Sequence, residues 1–376
     1  MSRALTTALT FVRGVINDNQ FIPALKHVYI GKSRIQASDG VLTVNASANN
    51  AWLDTDICVD ATGFARAVVA CGALDIDLSL TDTRRVRVRA GQFRAFVPIA
   101  SDDVSFPLVQ VDDIADDAVV YDLTEVDAKW FVPAIKSLRA YIGTDATRSW
   151  SMHACIRNGK MYASNNVVAV EASFPAIATD GALLPDKLLD ELIRVGKPPR
   201  RIVLTKTDIY FFFSATWWIR SLLGNVAWPI DTVVKMFEPT TWATYYPSAI
   251  TPELRQAIEQ LRPFLADKSS PLYFVGDHVS TVYNSTDEGA SFEGFPTTFA
   301  CVNAAQIRMV FEHATHIGLS QYPSPVPFRG DILRGVMAVY KDAHAKDLEQ
   351  RKASQFAEEV MHATLTAPRK GRKGSK

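Results

Sequence analysis

The chain has 376 residues, 48% of them hydrophobic and 21% charged, and its 40 Lys and Arg balance 40 Asp and Glu. That length predicts two or three domains of an ordinary folded soluble protein and excludes a disordered one. Zero net charge excludes a protein that grips nucleic acid through a large basic excess; no apolar run approaches the ~20 residues of a membrane helix, and the start MSRALTTALTFVRGVI is too polar for a signal peptide.

In chain order, the first predicted element is an amphipathic helix with Leu9, Val12, Val15 and Ile16 on one face, at i, i+3, i+6 and i+7. A second helix is predicted over 60–72 (DATGFARAVVACG), with Gly72 where a C-cap would sit. Residues 85–97 (RVRVRAGQFRAFV) alternate at the strand period and lead to the pair Phe106-Pro107. The set then recurs. Ile135, Leu138, Tyr141 and Ile142 repeat the first stripe 126 residues on. LPDKLLDELIRVG (184–196) repeats the second helix, with Pro185 at the first helical position and Gly196 lying 124 residues after Gly72. RIVLTKTDIYFFF (201–213) is again strand, and Trp228-Pro229 follows Phe106-Pro107 by 122 residues.

The third round opens with Ile258, Leu261, Phe264 and Leu265, a further 123 residues along, and continues with VNAAQIRMVFEHA (302–314). Its aromatic-proline pair, Tyr322-Pro323, falls at a different point of the cycle. Features that recur in one order predict an α+β protein of three tandem repeats, each with two helices packed on β-sheets. Beyond them, 342–365 is good helix material with Leu348, Phe356, Val360 and Met361 as a weak stripe. The end, APRKGRKGSK, carries five positive charges in its last eight residues and has the composition of a disordered tail.

Chemistry-bearing constellations are missing. Cys58, Cys71, Cys155 and Cys301 show no CxxC spacing and read as small apolar core residues in a reducing cytoplasm. Gly31-Lys32-Ser33 resembles the end of a phosphate-binding loop, but Lys26 stands where its first glycine is required. There is no GxGxxG or GxSxG. His313 and His316 are predicted to share a helical face, without a third metal ligand at convincing spacing. Aspartate pairs at 102–103, 112–113 and 116–117 read as solvated loop residues. No enzyme, cofactor or metal is expected.

Several segments, taken together and in order, carry a family resemblance. They are Phe21-Ile22-Pro23-Ala24-Leu25 before Val41-Leu42-Thr43-Val44, VPIASDDVSFPL (97–108), TRSWSMHACIRNGKMYASNNVVAV (147–170), LLPDKLLDELI, RSLLGNVAWPID, VNAAQIRMVFEHA and RGVMAVYK (334–341). Over residues 1 to about 341 the chain resembles the bacterial-type DNA sliding clamp, the beta subunit of DNA polymerase III. The resemblance implies clamp domains at 1–120, 121–238 and 239–341, followed by a helical extension with a basic tail at 342–376. It also implies a cytoplasmic, non-enzymatic processivity factor: a head-to-tail homodimeric ring around duplex DNA that binds DNA polymerase and the clamp loader through short peptide motifs.

On that reading the helices offer Arg13, Arg66, Lys129, Lys136, Arg139, Lys187, Arg194, Arg255, Arg262 and Arg308 to the DNA. Acidic Asp186, Asp190, Glu191, Glu253 and Glu259 lie among them, and ordinary solvated helix faces are the plain alternative. The family's DNA-contacting arginine before its "LPIL" segment falls near Asn19. Ring closure is expected to set Phe264 and Leu265 against Phe93 and Phe96. The partner-peptide pocket maps to Ser151, Ser164, Val167, Val168, Ala169 and Pro229, with Asn303, Val336, Met337, Ala338 and Val339 from the third repeat. Only Pro229, Asn303, Val336 and Met337 keep the family's usual residue. This drift reads as a divergent, phage- or virus-encoded clamp with its own polymerase. The alternative is a clamp-like ring that tethers transcription or repair factors, or a decoy of a host clamp that titrates the host clamp loader.

Overall fold

The apolar stripes spaced along the chain begin on helices, and most of their members are buried. The computed structural model describes residues 2–340 except 18, 48–52, 73, 102–103, 112–113, 115, 268, 284, 286 and 298; the predicted C-terminal helix and tail, and the aspartate pairs at 102–103 and 112–113, lie outside the described residues.

In the first third, α1 (Ser2–Val12) runs into a 3-10 turn at Arg13–Val15, and together they bury Leu9, Val12 and Val15. Strands β1 (His27–Ile30), β2 (Arg34–Ser38), β3 (Leu42–Ser47) and β4 (Ile57–Asp60) follow, with Gly31-Lys32-Ser33 forming only the β1–β2 turn. Asp60 caps α2 (Ala61–Ala70) by accepting from the Gly63 N–H at 2.6 Å, and Gly72 follows the helix at a φ of 59°. Next comes a meander of β5 (Asp77–Thr81), β6 (Arg85–Ala90) and β7 (Phe93–Pro98).

The second third opens with β8 (Val119–Asp122) and α3 (Glu125–Arg139), the latter started by a capping box between Thr124 and Asp127. Strands β9 (His153–Arg157), β10 (Lys160–Ser164), β11 (Val168–Ser173) and β12 (Ala182–Pro185) lead into α4 (Asp186–Val195). The sequence predicts Pro185 as the first helical residue. It is instead the N-cap, with an extended ψ of 151°, because it also ends β12 opposite His153. Gly196 ends α4 at a φ of 66°. Strands β13 (Arg201–Leu204), β14 (Asp208–Phe212) and β15 (Trp218–Leu222) precede α5 (Ile230–Phe237).

The last third holds α6 (Pro239–Trp242), β16 (Ser248–Ala249) and α7 (Pro252–Leu261), which Thr251 caps and a 3-10 turn at Arg262–Phe264 continues. Strands β17 (Pro271–Val275), β18 (His278–Ser280), β19 (Ala290–Ser291) and β20 (Phe299–Asn303) lead to α8 (Ala304–His313). Strands β21 (His316–Ile317), β22 (Val326–Arg329) and β23 (Leu333–Met337) close the described chain. His313 and His316 do not share a helical face as the sequence suggests: Ala314 is already extended, at a ψ of 142°, and His316 belongs to β21.

The chain divides into two compact units, Met1–Phe237 and the part from Glu238 onward. The first two repeats belong to one unit, and β8 runs across position 120. The reason lies in the hydrogen bonds. In the first unit an eight-stranded sheet runs β4-β1-β2-β3-β15-β14-β13-β8, so the first two repeats share one sheet through the β3–β15 ladder, Val44 opposite Ile219. Buried Gln36 ties the connecting segment to that sheet, donating to Val109 O at 3.0 Å and accepting from its N–H at 2.8 Å. The same unit carries the sheets β12-β9-β10-β11 and β5-β6-β7. The second unit has a sheet ordered β19-β18-β17-β20 and a run β23-β22-β21-β16.

Candidate nucleic-acid and partner surfaces

The candidate DNA-facing cations fall into two groups. In one, the side chain is engaged with the fold. Arg139 on α3 makes a two-pronged hydrogen bond to Asp190 on α4, at 2.7 and 2.9 Å, with Asp186 at 3.8 Å. The Asp190 bond holds this guanidinium above its ordinary pKa, against the burial that lowers it. Arg308 on α8 reaches Glu259 on α7 at 3.2 Å, and Lys187 meets Asp39 of the β2–β3 turn at 3.3 Å.

Two arginines close helix C-termini. Arg194 donates to Thr10 O at 2.9 Å and to Phe11 O at 2.5 Å, the last carbonyls of α1, while buried Glu191 fixes its other edge at 2.6 Å. Arg255 on α7 does the same for α8, donating to Phe311 O and, at 2.6 Å, to Ala314 O, with its guanidinium over the Phe311 ring. Orphan carbonyls at a helix end attract a cation, so both arginines stabilise helix packing.

The other group points outward. Arg13 and Lys136 are exposed and have no side-chain partner among the described residues. Lys129 is exposed with its ammonium 5.0 Å from the centre of the Trp130 ring, Arg66 is exposed on α2, and Arg262 lies a loose 4.0 Å from Glu259. Near Asn19, where the expected arginine is missing, Phe21 is 99% exposed.

The candidate pocket residues occupy both units. In the first unit, Ser151, Ser164, Val168 and Ala169 are buried, while Val167 and Pro229 are half-buried. The β10–β11 turn is rigid: Asn165 Oδ1 accepts from the N–H groups of Val167 and Val168 at 3.0 and 2.8 Å, and Asn166 adopts a φ of 75°. Pro229 leads into α5, which packs Phe237 on Tyr162 of β10. In the second unit, Asn303 is committed twice. It caps α8 through the Gln306 N–H at 2.9 Å and donates to the Tyr340 hydroxyl at 2.7 Å. Val336 and Met337 are buried, Val339 is half-buried, and Ala338 is exposed.

Of the candidate closure residues, Phe93 and Phe96 stand on an edge strand, and Phe264 and Leu265 lie at the 3-10 turn after α7. β7 ends the sheet β5-β6-β7, and β19 ends the sheet β19-β18-β17-β20. Phe96 on β7 is exposed and Phe93 half-buried. Beside them on the α2 side, Val69 and Leu74 are exposed, neither of which sequence reasoning selected. The signal was present: both are apolar residues bracketing the predicted C-cap Gly72. The repeat makes Val15, Tyr141 and Phe264 equivalent, with exposures of 3%, 0% and 70%. Leu265, next to Phe264, is half-buried.

Neither a protein-family model nor a curated protein matches this sequence. Solved structures do. The beta sliding clamp of Caulobacter crescentus is similar with a TM-score of 0.71 at 17% identity, the DNA polymerase III beta subunit of Thermotoga maritima with 0.72 at 14%, and the sliding clamp of Bacillus subtilis with 0.69 at 14%. Each match covers 91% of this chain and 98% of the other. The chain has the sliding-clamp fold. No helix among the described residues is long and apolar enough to cross a membrane.

Proposed function

We propose that two copies of this chain close into a ring around duplex DNA and tether a DNA polymerase to it. The observation that carries the reading is an internal precedent for the closure. After β1-β2-β3 of the first repeat, the edge strand β3 pairs with β15, the last strand of the second repeat. By chain order β19 corresponds to β3 and β7 to β15, and both lack such a partner among the described residues. Pairing β7 of one copy with β19 of the other would repeat the β15–β3 ladder twice per ring and remove both open edges. α4 packs on the turn after α1, where Val15 is buried. Val69 and Leu74 of α2 in one copy would cover Phe264 and Leu265 of the other in the same way.

A ring explains zero net charge on a protein that works on DNA. Topological linkage retains it without tight phosphate contacts, so the helices need supply only a screened positive field. The three domains are 1–120, 121–238 and 239–341, the first two fused by their shared sheet. The pocket candidates named above would receive short apolar motifs of a polymerase and a clamp loader in the cytoplasm.

Isolation from the cell together with closed circular plasmid tests this. The complex should persist at high salt and dissociate on linearising the DNA, since linkage does not weaken with salt whereas phosphate contacts do. Loss of the complex at high salt on intact circles overturns the ring. Co-purification tests the tether: DNA polymerase and clamp-loader proteins support it, and RNA polymerase or repair proteins as the main partners would replace it.

A further inference from the structure

Two adjoining clefts in the first unit take no part in the ring or in the peptide pocket. The first, of about 690 Å³, lies between the outer side of α1, the loop after α4 and the β14–β15 hairpin. Its floor is aromatic. Phe11 packs edge-on to Phe213 with ring centroids 5.5 Å apart and tilted to Trp217 at 5.1 Å, and the Trp217 indole N–H donates to Ser47 O at 2.7 Å. Its wall is basic: Arg194, Lys197 and Arg200 line it, and no carboxylate among the described residues does. Arg194 is held by Glu191 and the α1 carbonyls, whereas Lys197 and Arg200 are exposed, with no side-chain partner among the described residues.

The second cleft, of about 650 Å³, shares Arg200 and Ser214 with the first. It continues over Ile114, Val120 and Phe212, and the one carboxylate that lines it among the described residues, Asp122, is paired with Arg201 at 2.6 Å. Val120 is exposed on β8, the outer edge of the eight-stranded sheet. The result is a continuous surface with two apolar floors and unpaired cations between them.

We propose that this double cleft docks a short acidic peptide of another protein, its carboxylates on Lys197 and Arg200 and its apolar side chains on the Phe11–Trp217 and Val120–Phe212 floors. Each half has the size of a specific ligand site, roughly 300–1,000 Å³. Charge selects the occupant: described lining residues that are cationic and include no unpaired carboxylate favour an acidic partner and repel this chain's own basic end, APRKGRKGSK. Ring geometry argues against single-stranded nucleic acid. Bases stack on open ring faces, and here Phe11 is already packed against both Phe213 and Trp217.

Panning random displayed peptides on the full-length protein, with the Lys197→Glu/Arg200→Glu variant as comparison, tests the assignment. The enriched peptides should be acidic with an aliphatic or aromatic anchor and should bind the variant at least about tenfold more weakly. A Val120→Ser variant should weaken those whose anchor lies beyond the acidic run. Enrichment of neutral or basic peptides, or of peptides indifferent to the charge reversal, overturns the proposal. So does single-stranded oligothymidylate binding the wild type and being the ligand that the variant loses. Both mutated cations are exposed, so near-UV circular dichroism and oligomeric state should match the wild type. The cleft lies within one unit, so this result is independent of ring closure.

Discussion

Arg194 shows how a residue that reads as a DNA ligand can be a piece of architecture. Its guanidinium joins two α1 carbonyls to Glu191, which is only 4% exposed. Arg194→Ala should lower unfolding free energy by about 3 kcal/mol, because the partner carboxylate is left buried and uncompensated. Urea denaturation measures this, and adding Glu191→Leu should restore part of the loss in a double-mutant cycle. Burial pushes the Cys155 thiol up to about 12 from an ordinary 9.0. At pH 8 only about one thiol in ten thousand is then thiolate, so Cys155 should resist alkylation until the protein unfolds, as mass spectrometry would read out. The sign of the pH effect follows. Between 9.0 and about 12 the unfolded chain has released a proton that the folded one retains, so stability is whole below pH 9 and falls above it. Cys155→Ala should flatten that alkaline decline. Sequence alone separates neither role, since exposure and partner are tertiary properties: Arg13 and Arg194 look alike until α4 is laid against α1.

At the scale of elements, periodicity was enough for the long helices and not for the short strands. The stripes at Leu9, Ile135 and Ile258 lie on α1, α3 and α7, because a face of i, i+3 and i+6 positions can be buried only as a helix. Strands such as β16, β19 and β21 have two residues each, too few to show alternation, and they are held by pairing alone. α5, at eight residues, has only about two turns over which a helical stripe can show. Helix starts rest on local chemistry. In the α3 capping box Thr124 Oγ1 accepts from the Asp127 N–H at 3.1 Å, and Asp127 Oδ2 accepts from the Thr124 N–H at the same distance. Thr124→Ala should therefore cost about 1 kcal/mol in denaturant unfolding, and Thr124→Ser almost nothing.

For the whole molecule, the repeat period conveys the clamp architecture, but the drifted pocket residues leave peptide preference unreadable. The ring reading makes a sharp demand on two surfaces that lie far apart in sequence. Val69→Arg and Phe264→Arg should each convert a dimer to monomer at micromolar concentration, seen by sedimentation velocity, with circular dichroism unchanged because both side chains are exposed. A monomeric wild type, or a dimer indifferent to both changes, would sink the closure surface. The engaged arginines then acquire a meaning at this scale. A guanidinium whose hydrogens already point at helix carbonyls, as in Arg194 and Arg255, contributes charge to its surroundings but has few donors left for a phosphate. On the proposed ring, the passing duplex would meet a smooth potential with little directional grip. Its motion would resemble a lubricated bearing, limited by hydrodynamic drag rather than by breaking contacts at each base pair, and its one-dimensional diffusion should vary little with salt.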